Sequence, residues 1–132
     1  MIKYLALYSM LIFSMFGQIN SALGDSKMDY VYETVTWKAK AGVSDSDMVA
    51  AVDRMVDDLK QVDGFLNQTL YKDKNDQWVD IYYWKTEQNA IDSNGAMAEK
   101  ESFKQLIQLI EPESVAIDIM APLQSSGKVI FQ

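Results

Sequence analysis

The sequence predicts an α+β domain of order βαββαβ, a four-stranded antiparallel sheet with its helices on one face. Two observations carry this. Apolar residues recur at helical spacing over 48–62 and 103–110, and four other segments are dense in β-branched and aromatic residues or alternate with period two. The order strand, helix, strand, strand, helix, strand is the ferredoxin-like plan, in which both crossovers lay their helices on the same side of the sheet.

The first strand is read over Asp29 to Ala41, where Val31, Tyr32, Thr34, Val35, Thr36 and Trp37 run up to Gly42. Ser44, with Asp47 three residues on, makes a capping-box-like helix start. Met48, Val52, Met55, Leu59 and Val62 then mark one apolar face, closed by Asp63-Gly64. The opposite face, with Asp53, Asp57, Asp58 and Lys60, reads as solvated. Phe65 to Lys72 and Gln77 to Trp84 form a hairpin about the turn Asp73-Lys74-Asn75-Asp76. Thr86 to Lys100 reads as a broken or short helix, because Ser93-Asn94-Gly95 weakens its middle. Phe103, Leu106, Ile107 and Ile110 continue as a second apolar stripe, stopped by Pro112. Ser114 to Ala121 is the last strand, and 124–132 reads as a flexible tail.

Composition narrows the chemistry. At 132 residues the chain is one domain, and a net charge of −7 argues against a nucleic-acid partner, which would need a clustered basic surface. With no Cys and no His, disulfides, thiolate nucleophiles and imidazole bases or ligands are excluded. Asp73-Lys74-Asn75-Asp76 fails as a calcium loop, since Trp78 stands where Gly is needed and Trp84 where Glu is needed. No metal or cofactor is expected.

Residues 1–24 have the parts of a secretory signal peptide. Lys3 precedes an uncharged run from Tyr4 to Phe16, too short for a lasting membrane anchor, and Ala22-Leu23-Gly24 offers small residues for cleavage before Asp25. The expected compartment is therefore periplasmic or extracellular, with residues 25–123 as the folded domain. Nine of its aromatic residues lie in the first three strands, on both parities, so neither sheet face is plainly polar. A monomer would expose a large apolar patch, and the expected remedy is a homodimer that buries the free face.

Gly64-Phe65-Leu66, then Trp78 through Trp84 with Lys85-Thr86, then an alanine-bearing helix at Ala90, resemble the antibiotic-biosynthesis-monooxygenase-like group of dimeric α/β-barrel proteins, over Tyr30 to Pro122. The resemblance implies two ferredoxin-like subunits joined through their sheets, with ligands held between each sheet and its helices. Some members oxygenate aromatic polyketides without metal or flavin, and others degrade haem. The haem-degrading branch needs a histidine on iron, and this chain has none.

Trp78, Asp80, Tyr82 and Trp84 share one strand face, placing a carboxylate among three rings. If that face is enclosed, desolvation raises Asp80 towards a useful base, which makes Asp80 and Tyr82 the candidate catalytic pair. Glu33, Trp37, Trp78, Trp84 and Asp118 are the candidate ligand-binding residues. The competing reading has the rings as core and each carboxylate as an edge or interface hydrogen-bonding group. Strand periodicity leaves open whether Glu33, Asp80 and Asp118 share a face. Two functions fit: a binder of a small aromatic or apolar molecule that oxidises it without a cofactor, or a non-catalytic homodimeric binding module.

Overall fold

The computed structural model describes residues 29–131. The leader and its cleavage point lie outside the described residues. Four strands, β1 (Val31–Trp37), β2 (Phe65–Lys72), β3 (Trp78–Trp84) and β4 (Ala116–Met120), alternate with helices α1 (Asp45–Leu59), α2 (Glu87–Ala98) and α3 (Glu101–Ile107) and a 3-10 turn at Pro112–Ser114. The sheet order is β2-β3-β1-β4, with antiparallel neighbours throughout. This is the ferredoxin-like α+β fold.

Local chemistry explains the boundaries. Ser44 caps α1 by accepting the Asp47 backbone N–H at 3.1 Å, and Thr86 caps α2 through Asn89 at 3.0 Å. The α1 stripe buries Met48, Val52, Met55 and Leu59, but the helix ends at Leu59 and Val62 lies in the following turn. The second helix is unbroken through its weak middle. Ser93 Oγ and Asn94 Nδ2 both donate to the Ala90 carbonyl, at 2.6 and 3.0 Å, so the polar side chains are satisfied within the helix. The interruption falls instead at Glu99–Lys100, between α2 and α3. The last strand starts later than its sequence suggests, because the 3-10 turn uses Ser114 to accept the Lys38 N–H at 2.8 Å.

The helices cover one face of the sheet. Trp37, Trp78, Tyr82 and Trp84 from that face join Met48, Val52, Met55, Met97, Leu106 and Ile107 in a single core. Along β3 burial alternates strictly, with Trp78, Asp80, Tyr82 and Trp84 buried and Val79, Ile81 and Tyr83 half-buried. The open face carries the edge-to-face pair Tyr32–Tyr83, and Phe131 returns to pack on Tyr30 and Tyr83 with centroids 5.7 and 5.1 Å away. Tyr71 and Met120 on this face remain 53% and 42% exposed.

Gly64, where α1's connection enters β2, holds φ +79°, and an added Cβ would lie 2.6 Å from the Cβ of Asn89. Gly64→Ala should therefore cost about 2–3 kcal/mol in urea unfolding, by backbone strain and by pushing Asn89 off the Thr86 cap. A cost below about 0.5 kcal/mol would show that the turn relaxes freely.

Candidate binding cavity

Between the sheet and the helices lies a partly open cavity of about 70 Å³. Its wall is mostly apolar. Met55 and Leu59 of α1, Met97 of α2, Leu106 and Ile107 of α3 and Ile117 of β4 line it, together with the rings of Trp37, Tyr82 and Trp84. The polar exceptions are Glu33, Ser93 and Asn94. A mostly apolar pocket with a few converging polar groups is the usual form of a small-molecule site.

Glu33 owes its place to strand alternation. It lies between Val31 and Val35 on the helix-facing side of β1, directly opposite Tyr82, and is only 2% exposed. Trp84 Nε1 donates to its Oε2 at 2.6 Å. Burial pushes the Glu33 carboxyl up to about 8, with the Asp80 charge adding to the rise and the Trp84 and Asn94 hydrogen bonds opposing it. Among the described residues no ion pair reaches Glu33, and no Lys or Arg lines the cavity.

Asp80 sits one layer behind. It is fully buried and does not line the cavity, but Tyr82, which does, donates its hydroxyl proton to Asp80 Oδ2 at 2.5 Å. Gln68 Nε2 of β2 donates to the other carboxylate oxygen. Burial raises Asp80 to about 7 despite those hydrogen bonds. The Tyr82 phenol is driven well above its ordinary value, first by burial and then by the neighbouring Asp80 charge.

Glu33, Trp37, Tyr82 and Trp84 thus meet at the cavity, with Asp80 linked to it through Tyr82. Trp78 is buried in the core, away from the cavity lining, and takes the Lys72 ammonium over its ring at 5.4 Å. Asp118 pairs with Thr34, whose side chain is on the open face, and is exposed there. Sequence reasoning missed Gln68, Ser93 and Asn94. For the last two a signal existed: with Ala90 and Met97 they complete an i, i+3, i+4, i+7 stripe, so polar side chains stand on the buried face of α2.

The sequence matches no family model and no curated protein. Solved structures do match. Rv0793 from Mycobacterium tuberculosis superposes with a TM-score of 0.59 at 18% identity, covering 74% of this chain and 99% of that one. SnoaB, a cofactor-independent oxygenase from Streptomyces nogalater, gives 0.58 at 14% identity, covering 76% and 99%. A candidate antibiotic biosynthesis monooxygenase from Nitrosomonas europaea gives 0.51 at 14% identity, covering 76% and 97%. The chain has the antibiotic-biosynthesis-monooxygenase-like fold. At these identities the likeness extends to architecture and not to activity, since one fold carries many functions.

Proposed function

We propose that this protein binds a small aromatic or apolar molecule in the cavity between its sheet and helices. The observation that carries the reading is a cavity between sheet and helices, lined almost wholly by apolar side chains, whose wall holds the buried carboxyl of Glu33, without an ion pair among the described residues, opposite Tyr82. A site of that composition holds a ligand by area and orients it by a few hydrogen bonds. The residues read as a signal peptide support export, and the aromatic open face supports a homodimer.

Calorimetric titration of substituted benzenes and naphthalenes against the protein tests the reading. Binding should weaken at least tenfold in Ile117→Trp, which fills the cavity from β4. Equal affinity in wild type and variant would place binding elsewhere.

One arrangement favours turnover as a second reading. Tyr82 lines the cavity and donates a hydrogen bond to Asp80, whose carboxyl burial raises to about 7. A bound phenol or enol would give its proton to the Tyr82 oxygen as Tyr82 passes its own to Asp80, leaving an electron-rich carbanion. Dioxygen would then bond to that carbon as a hydroperoxide, and cleavage of its O–O bond with loss of the carbon's remaining hydrogen would leave a carbonyl and release water, so that the substrate itself supplies every electron. SnoaB, of the same fold, is a cofactor-independent oxygenase, which lends this reading support. Oxygen uptake with a phenolic panel should fall at least tenfold in Tyr82→Phe and in Asp80→Asn. Uptake unchanged in both, or absent from the wild type, would leave the protein a binder.

A further inference from the structure

The sheet face turned away from the helices carries little charge for a surface that meets water. By register, β3 places Val79, Ile81 and Tyr83 there and β1 places Tyr32, Thr34 and Thr36; among all four strands only Asp118 is a charged residue on that side. A solvated antiparallel face ordinarily alternates to polar and charged side chains. Large apolar exposure gathers in the same region. Six large apolar side chains stay exposed among the described residues, and one of them, Val49, is on α1, across the sheet. Of the other five, Tyr71 and Met120 lie on the open face. Leu123, Val129 and Ile130 belong to the tail that leaves β4 after Met120 and ends on that face at Phe131.

The tail decides between a self-made cap and a second molecule. Phe131 meets Tyr30 edge-on at 5.7 Å and lies 5.1 Å from Tyr83, so one ring fixes the segment to the face. A tail folded back as a cap would turn its apolar side chains inward. Instead Ile130 is 83% and Leu123 95% exposed, so the tail adds apolar surface to the face. A two-fold partner brings the same patch against itself, which a face with almost no charge permits and a charged one resists.

We propose that the open face and the C-terminal tail form one self-association surface, on which a second copy of this chain covers Leu123, Val129 and Ile130 while Phe131 anchors the tail for it. The proposal rests on the homodimer reading above and is independent of the cavity, which lies on the other side of the sheet. With the anchor in place the tail is already ordered when two copies meet; without it, association must also order the segment, at a cost in entropy.

Sedimentation equilibrium of the protein and three variants tests this. The wild type should be a dimer, with a dissociation constant that rises at least tenfold in Ile130→Asp, which puts a charge in the interface, and in Phe131→Ala, which frees the tail. Val49→Asp adds the same charge at an exposed apolar position among the helices and should leave the constant unchanged. Ile130 and Val49 are both exposed, so neither substitution disturbs the core, and circular dichroism matching the wild type checks that. A wild-type dimer whose constant is unmoved or lowered by Ile130→Asp overturns the tail's part in the interface and leaves the homodimer reading in place. A constant raised by Ile130→Asp but not by Phe131→Ala overturns the anchor. Weakening by Val49→Asp as large as by Ile130→Asp overturns the open face as the interface. A wild type that remains monomeric up to millimolar concentration overturns both the proposal and the homodimer.

Discussion

Glu33→Gln should stabilise the protein at pH 9 by roughly 3–5 kcal/mol while leaving its stability at pH 4 nearly unchanged. The folded chain holds this carboxyl at about 8, whereas the unfolded chain releases the proton at an ordinary carboxylate value, so between the two the folded state carries the extra proton. Stability from Glu33 is therefore complete below about pH 4 and is lost as pH rises through about 8. Asp80 adds a loss of the same sign that ends near its value of about 7. Asp73, held low chiefly by the Gln77 backbone N–H, has the opposite sign and acts only in acid. Glutamine avoids the Glu33 cost and still accepts from Trp84. Urea unfolding at pH 4, 7 and 9 measures the effect, and a variant that loses stability between pH 7 and 9 as steeply as the wild type would show that another group titrates there.

Trp84→Ala should cost about 4–6 kcal/mol, a large share of the 5–15 kcal/mol that holds an ordinary domain together. Its ring is 1% exposed, meets Phe65 edge-on at 5.6 Å and stacks on Tyr82 at 6.2 Å. Its loss removes those contacts and also the hydrogen bond that satisfies buried Glu33. Trp84→Phe separates the two effects, since it keeps most of the packing and removes only the donor. It should cost about 1–3 kcal/mol at pH 5 and more at pH 9, where Glu33 is charged. Equal losses for the two variants would assign the whole effect to the hydrogen bond; no loss for Trp84→Phe would assign it to packing alone.

Tyr82 and Trp84 were legible as site candidates because period two puts every second residue of β3 on one face, and that face is the buried one. Asp80 was legible on the same rule, together with the direction of its titration, because a carboxylate among rings is desolvated wherever those rings are enclosed. Its position behind Tyr82 was not, since it depends on how far the helices stand from each strand residue. Trp78 shares the face but lies outside the cavity lining for the same reason.

By itself the sequence determined the elements, their order and which residues share a face within each strand, because hydrophobic period and turn chemistry are properties of neighbouring residues. Only the tertiary structure decided how the carboxylates combine. With β1 between β3 and β4, Glu33 lies opposite Tyr82 on the helix side, while Asp118 pairs with Thr34 and is carried to the open face. That choice is a matter of register between strands far apart in the chain. The alternation Ile117-Asp118-Ile119 puts Asp118 on the face opposite the two isoleucines, but which residue of β1 it meets is fixed only by the register between the strands.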